Sequence, residues 1–412
     1  MNIIPLPNNY KQRFGVFSIN ENSKINYSKE FILSTTALTS FIKSKTKLTI
    51  LQSENSNINF LLNIELPSEG YILDINENEL NIHARSDRGA FYAVQSLKQL
   101  FYFSDNQFCV NCIYIEDYPR FPYRGFMLDI ARNFFNKEVV FKIIDMLALQ
   151  KFNYLHLHLS DDQGFRLQID KYPLLTEIGA NYKGFYTRED IKDIVRYAQD
   201  NFIEVIPEID LPGHTSAIIA SYPNLSCNNE KIEVEKKYGI IRRAICVSKN
   251  DTYEFVENIL YEIMELFPSK YIHIGVDEVS TKNWKKCSSC RALLKQENLK
   301  SYKDLARLFA NNIASFLREN SKIPIAWNDL INYSSNYNII LQHWKPSTNK
   351  KSIKEINEGR KAIISNFFYY YLDYPYSMTP LKKTYNFNPI SKGVTKKDNI
   401  IGIETPVWTE YI

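Results

Sequence analysis

Tyr271-Ile272-His273-Ile274-Gly275-Val276-Asp277-Glu278 is a short apolar run that stops in two adjacent carboxylates. Side chains alternate between the faces of a strand, and a run of this kind delivers both acids at its open end. Two carboxylates in one cleft push each other's pKa apart, so one can stay protonated as a general acid while its neighbour stays charged. The plainer alternative is a strand end meeting a helix N-terminus, where acids complement the helix dipole. The sequence on either side decides between the two.

Apolar runs of the same kind recur along the chain, at 125–130, 154–159, 202–207, 271–276, 323–327, 339–343, 362–365 and 400–403. Amphipathic helical spacing fills many of the gaps, at 137–150, 188–200, 252–266 and 303–319. Alternation of this kind fits a parallel (β/α)8 barrel, with a doubly wound open sheet as the rival. No glycine-rich turn follows the first run, which counts against a nucleotide fold. Residues 1–118 read differently. Tyr71–Ile75 and 79–83 look like strands of a meander, and 88–101 carries Phe91, Val94, Leu97, Leu100 and Phe101 at helical spacing. A small α+β domain of sheet and helix is expected there, with the proline-containing stretch 117–123 as linker and the barrel over 119–412.

A barrel of this type carries its active site at the C-terminal ends of its strands. Those ends read Asp129 and Arg132; Asp161 and Asp162; Glu208, Asp210 and His214; Asp277 and Glu278; Trp327, Asn328 and Asp329; Trp344; Tyr371 and Asp373; Trp408 and Glu410. Carboxylates and an arginine suit sugar hydroxyls, and aromatic rings suit sugar faces. Three of the chain's four tryptophans lie at such ends; Trp284 reads as helix packing.

Composition narrows the classes. The 412 residues carry 50 Lys and Arg against 46 Asp and Glu, a net charge of +4, with no long basic block, so a nucleic-acid partner is not expected. No apolar stretch reaches the length of a membrane span. The 28 Tyr and 25 Phe fit sugar stacking and a compositional bias of the genome equally well. The start, Met1 to Pro7, lacks a basic segment followed by an apolar core, so no signal peptide is read. A cytoplasmic location follows if Met1 is the native start, and a periplasmic or secreted one if a leader has been removed. Of six cysteines, Cys109/Cys112 and Cys287/Cys290 form two C-x-x-C pairs, but these are far apart and lack a histidine at ligand spacing, so no zinc site is expected. Cys227 and Cys246 bracket a polar loop, and a disulfide and free thiols stand as equal alternatives.

Five ordered segments then carry a resemblance: Arg124 to Phe134 (Arg-Gly-Phe-Met-Leu-Asp-Ile-Ala-Arg-Asn-Phe), Leu155 to Gly164 (Leu-His-Leu-His-Leu-Ser-Asp-Asp-Gln-Gly), Pro207 to His214 (Pro-Glu-Ile-Asp-Leu-Pro-Gly-His), His273 to Glu278, and Pro406 to Glu410 (Pro-Val-Trp-Thr-Glu). In order and spacing the chain resembles the β-N-acetylhexosaminidases of glycoside hydrolase family 20, and residues 1–118 resemble the small domain that precedes the family's barrel. The resemblance implies an exo-acting hydrolase for terminal N-acetyl-β-D-glucosamine or N-acetyl-β-D-galactosamine on an oligosaccharide or glycoconjugate. It implies retaining, substrate-assisted catalysis through an oxazolinium intermediate, an exception to the usual two-carboxylate scheme. By the same resemblance Glu278 is the general acid and base, and Asp277 orients the substrate acetamide. Arg132 grips sugar hydroxyls, and Asp161 and His214 support the acid. Trp327, Trp344 and Trp408 wall the pocket, Tyr371 bonds the acetamide oxygen, and Asp373 and Glu410 accept from hydroxyls. Tyr371 is preferred over Tyr369 and Tyr370 because it opens the Tyr-Leu-Asp match. No cofactor and no metal is implied.

Three departures stand out. The family's usual Gly-Gly before Asp-Glu is Gly275-Val276 here, and Val276 is expected to be tolerated because it suits a parallel strand. A tryptophan that some members carry before strand eight has no match in 374–399. The sequence stops two residues past Glu410, so the barrel is expected to be truncated and without its eighth helix. Two rival readings stay open: a metal-dependent hydrolase using His156-x-His158 with His214 and Asp277, and a non-catalytic glycan-binding relative.

Overall fold

In the computed structural model each of the eight apolar runs is a strand, and the eight close into a parallel barrel rather than an open sheet. The strands are β1 (Tyr123–Asp129), β2 (Tyr154–His158), β3 (Glu204–Leu211), β4 (Tyr271–Gly275), β5 (Ile323–Trp327), β6 (Ile340–His343), β7 (Ala362–Ile364) and β8 (Ile400–Val407). Residues 3–239, 241, 243–329 and 338–410 are described. Neighbours pair in sequence order, and β8 returns to β1 in unbroken parallel register from Gly402↔Tyr123 to Val407↔Leu128.

The helices around the barrel form for local reasons. Arg188–Asp200 buries Ile191, Ile194, Val195 and Ala198, a stripe at 3.6-residue spacing. Tyr302–Glu319 opens with a capping box in which Ser301 and Asp304 satisfy each other's backbone amides. Its buried face runs through Leu305, Phe309, Ile313 and Leu317. Among the described residues no helix follows β8.

The barrel interior changes character along its axis. At the N-terminal end Tyr123, Ile206, Tyr271, Ile325, Ile340 and Ile363 form an apolar plug, with Tyr123 stacked on Tyr154 at 4.3 Å. The middle layer is ionic. Glu208 lies 3.1 Å from His156 Nε2 and 2.7 Å from His273 Nδ1, and it accepts from Trp327 Nε1 at 2.9 Å. Glu404 meets His156 Nδ1 at 3.0 Å and accepts from Tyr123 and Gln342. Burial alone would push both glutamates up, but the histidines around them reverse it and hold both below the usual carboxylate range. Unpaired, such charges would cost several kcal/mol each (about 3–5 for one broken partner). The layer above this one is the open C-terminal end.

A second compact unit comprises 3–122 with 145–152 and 200–202. Its sheet pairs Asn9–Ile19 antiparallel with Gln107–Asp117, and Tyr71–Ile75 antiparallel with Leu80–Ala84. Helices Ile32–Thr46 and Asp87–Leu100 pack on each other, and Ser86 caps the second by accepting from the Gly89 amide. Cys109 and Cys112 lie on the strand Gln107–Asp117.

Two strands outrun the expected lengths. The third continues past Pro207 to Leu211, and the eighth past Ile403 to Val407. The first extension includes Glu208 and Asp210, and the second includes Glu404.

Candidate active site

β4 ends at Gly275, and the chain turns sharply there: Gly275, Val276 and Glu278 all have positive φ, at 66°, 74° and 46°. The bend answers a geometric problem, because neighbours on a strand face opposite ways and only a kink lets Asp277 and Glu278 share one cleft. Gly275 is required by contact as well as by conformation. A Cβ there would overlap the Asp210 carboxylate and sit 2.8 Å from the Asp210 Cα.

Val276 is therefore not a strand residue, and the expectation that it fits as one is corrected. It lies beyond β4 in the left-handed region, where a non-glycine residue stores about 1–3 kcal/mol. Its side chain is only 2% exposed, and emptying that space costs about 2–3 kcal/mol. The two effects are similar in size and opposite in sign. Val276→Gly is expected to move stability by less than about 1 kcal/mol, read as an almost unchanged urea midpoint at constant m. A loss above about 3 kcal/mol would show that packing outweighs strain.

Around the acid pair, His214 is the central cation. Its Nδ1 lies 3.2 Å from Asp161 and 3.4 Å from Asp162, and its Nε2 lies 3.6 Å from Asp277 and 3.9 Å from Glu278. Burial disfavours its charge, but Asp161 and Asp210 override burial and hold the imidazolium well above the usual histidine range. Asp162 accepts from the Ser216 amide and hydroxyl and anchors the loop behind His214. Asp210 accepts from the Val276 amide at 3.2 Å. Burial and then the charge of Asp277 push its carboxyl well up, and burial raises Asp277 as well, so the two buried acids favour sharing a proton. Glu278 is also raised, by burial first and by Asp277 next. Asp277 is raised too, chiefly by burial, so both acids of the pair are biased toward the protonated form, with His214 opposing the shift in each.

Arg132, 6% exposed, is held from three sides: Asp161 at 2.9 Å, Glu410 at 3.2 Å and Asp129 at 3.4 Å. Its guanidinium carbon lies 4.8 Å over the Trp408 ring. Asp161 bridges Arg132, His158 and His214, and although burial opposes its charge, Arg132 and His214 drive it well below the usual range. Trp344 donates to Asp329 at 2.8 Å and stacks on Tyr371 at 6.4 Å, and Trp327 and Trp408 lie 5.9 Å apart. Asp373 is pushed up to about 6, chiefly by burial, and its buried Oδ1 has no hydrogen-bond partner among the described residues.

These groups enclose one cavity of about 280 Å3. Every candidate site residue lines it except Asp161, which stands behind Arg132 and His214. Tyr371, not its neighbours, faces the cavity; Tyr369 and Tyr370 pack on Phe387 instead. Trp284 is fully buried and donates to the Ile245 carbonyl, outside the cavity. The lining also includes Phe367, Tyr374 and Gly239, which sequence reasoning did not single out. Two aromatics in so aromatic a chain give no signal. Asp210 was legible as a strand-end acid, and its pairing with Asp277 follows only once the bend at Gly275 is known.

The rival metal set does not converge as a whole: His214 and Asp277 come together with Asp210, and His158 with Asp161 and Asp210, but His156 stands apart from both groups. His156 is engaged by Glu208 and Glu404 in the ionic layer, whereas His214 lies between Asp161 and the acid pair.

The model for "Glycosyl hydrolase family 20, catalytic domain" matches residues 121–412, and that for "Glycosyl hydrolase family 20, domain 2" matches 1–118. A β-hexosaminidase of Porphyromonas gingivalis is 31% identical over all of this chain and 58% of its own length, so the chain spans under two thirds of that relative. A β-hexosaminidase of Akkermansia muciniphila is 30% identical over 92% of this chain and 82% of its own. Among solved structures, the exo-β-N-acetylglucosaminidase of Vibrio harveyi in complex with N-acetylglucosamine superposes with a TM-score of 0.90 at 30% identity, covering 100% of this chain and 70% of that one. The β-N-acetylhexosaminidase of Bacteroides fragilis gives 0.88 at 31% identity, over 99% and 86%.

Proposed function

The chain belongs to glycosyl hydrolase family 20, and from that membership we propose that it is an exo-acting β-N-acetylhexosaminidase working by retaining, substrate-assisted catalysis. The observation that carries the mechanism is the placement of both acids at one strand end. Asp277 and Glu278 meet at one strand end, 3.6 and 3.9 Å from His214 Nε2, a placement that suits one acid serving the leaving oxygen and its neighbour the acetamide rather than an acid and a nucleophile on separate strands. The substrate's 2-acetamido oxygen is then the nucleophile. It bonds to the anomeric carbon as the glycosidic bond breaks, and Glu278 gives its proton to the departing oxygen. Asp277, in its carboxylate form and flanked by His214 and Asp210, accepts from the acetamide N–H and stabilises the cationic oxazolinium. Glu278, now a carboxylate, takes a proton from water as water opens that ring, and the β configuration is restored.

The remaining groups fit the same substrate. Tyr371 donates to the acetamide oxygen and aims it. Trp327, Trp344 and Trp408 enclose the methyl group and the sugar face, each contact worth about 1 kcal/mol. Arg132, fixed by its three carboxylates, holds the ring hydroxyls with Asp373 and Glu410. A cavity of about 280 Å3 suits one terminal residue, either N-acetyl-β-D-glucosamine or N-acetyl-β-D-galactosamine.

Release of p-nitrophenolate tests this. Both p-nitrophenyl N-acetylhexosaminides are expected to turn over, and the glucoside without the acetamide at least about 1,000-fold more slowly. The first sugar seen by proton NMR is expected to be the β anomer. Comparable cleavage of the glucoside, or an α anomer first, would overturn the mechanism.

A further inference from the structure

Cys227, Cys246, Cys287 and Cys290 come together in the loops beyond β3 and β4, all four sulfurs within 4.8 Å of one another. The pairing differs from the one the C-x-x-C spacing suggests. Cys287-x-x-Cys290 meets Cys227 and Cys246, and the cysteines of the strand Gln107–Asp117 belong to no such cluster among the described residues. Nor are Cys227 and Cys246 a disulfide; all six cysteines are free thiols.

We propose that these four cysteines hold one structural zinc ion, which fastens the long loop after β3 to the segment that follows the acid pair.

The geometry is that of a tetrahedral thiolate site. Zinc–sulfur bonds of about 2.3 Å place the sulfurs of a regular tetrahedron about 3.8 Å apart. The sulfurs of Cys246 and Cys290 are separated by 3.7 Å, of Cys227 and Cys290 by 3.9 Å, and of Cys246 and Cys287 by 4.0 Å. A disulfide needs about 2.05 Å, and an iron–sulfur cluster spaces its thiolates around several metal atoms rather than one. Cys246 and Cys290 are fully buried and Cys287 nearly so, which closes the site to substrate as a structural zinc requires.

Supporting groups are in place. The Ser248 hydroxyl lies 3.3 Å from Cys246 Sγ and 3.4 Å from Cys290 Sγ, and the Ser248 amide also bonds Cys246. Such donors orient ligands and spread thiolate charge. Cys287 is the N-cap of helix Ser288–Gln296, whose amide end favours a negative ligand.

The loop needs such a staple. From Ser226 to Lys249 the described residues form no helix or strand, far beyond the usual length for an unstructured connection in a compact domain. Its other ties are scattered hydrogen bonds, among them the Trp284 indole to the Ile245 carbonyl at 2.9 Å, the Ile245 amide to Pro212, the Cys246 amide to Leu225, the Glu235 amide to Asp162 and Gln163 to the Lys237 carbonyl. The same loop brings Gly239 to the cavity wall. When the ion binds, each of the four thiols loses its proton to solvent as its Zn–S bond forms.

Plasma mass spectrometry of the intact purified protein is expected to find about one zinc per chain, retained through gel filtration. Treatment with a mercurial thiol reagent should release it to a chromogenic zinc indicator. Chelation under denaturing-free conditions should lower the thermal midpoint by about 10 °C. Refolding with Co2+ should give the sulfur-to-cobalt charge-transfer bands of a tetrathiolate site. The double variant Cys109→Ser/Cys112→Ser should keep its zinc, whereas Cys290→Ser should lose it; if that variant does not fold, the metal content and the cobalt spectrum of the unaltered protein decide. Zinc well below stoichiometry, iron in its place, an intact mass showing two disulfides, or a cobalt spectrum without thiolate bands would each overturn the proposal.

Discussion

Glu278→Gln is expected to lower turnover of an oligosaccharide substrate by about 10^3 to 10^4, the upper part of the range for general acid–base catalysis. Glutamine keeps the shape and removes only the proton that the departing oxygen needs, so the loss should fall on kcat and kcat/KM together while binding persists. The leaving group supplies the control. A p-nitrophenolate leaves without much help from an acid, so bond cleavage should suffer less with the chromogenic substrate, and the residual deficit should come from unassisted attack of water. The pH profile supplies another. Burial and the Asp277 charge raise the Glu278 carboxyl, so its acid form survives to higher pH and activity falls as pH rises through that value. Glu278→Gln should abolish this alkaline limb. The acidic limb, where Asp277 must be ionised, should remain. A variant with full activity and an unchanged profile would remove Glu278 from the mechanism.

The barrel was legible because parallel strands buried on both faces read as unbroken apolar runs, and because the acids and tryptophans that follow them mark one end of the structure. The strand boundaries failed where closure is non-local. Pro207 reads as a strand terminator because proline donates no ladder hydrogen bond, yet it pairs with Leu157, and the ladder shifts register only between Glu208 and Leu211. The last apolar run ends at Ile403, but Glu404-Thr405-Pro406 continues the pairing with β1 and closes the barrel. Contacts between residues nearly 300 positions apart leave no periodic trace. The cavity set was legible for a different reason: carboxylates recur at the strand ends together with three of the chain's four tryptophans. Val276 misled because propensity describes a strand interior, and the chain has already left the strand there. The cysteine cluster was hidden by spacing, since the nearest-looking partner for Cys287-x-x-Cys290 was the other C-x-x-C pair, whereas the fold supplies Cys227 and Cys246.

Asp277→Asn is expected to cost about 10^2 to 10^3 in kcat with little change in KM. The argument rests on when the charge matters. In the bound substrate the acetamide is neutral, and a carboxylate gains only an ordinary hydrogen bond from its N–H. As the oxazolinium forms, that nitrogen becomes cationic and the same hydrogen bond becomes charge-assisted, so the interaction grows mainly in the transition state and should appear in kcat. A neutral amide of the same shape cannot follow that growth. The loss corresponds to about 2.7–4 kcal/mol. A second consequence separates this role from simple substrate binding. After burial, Asp277 is the largest influence raising Glu278, so removing its charge should lower the Glu278 pKa and move the alkaline limb of kcat/KM to lower pH. Asp210, raised by burial and then by the same charge, should become easier to ionise and partly restore a negative neighbour, which limits the size of that shift. If Asp277 served only to hold the sugar, the variant would raise KM, spare kcat and leave its dependence on the leaving group unchanged. Slower formation of the oxazolinium, read as a fall in kcat for the p-nitrophenyl N-acetylhexosaminides together with an acidward alkaline limb, is the combination that only transition-state stabilisation by Asp277 produces.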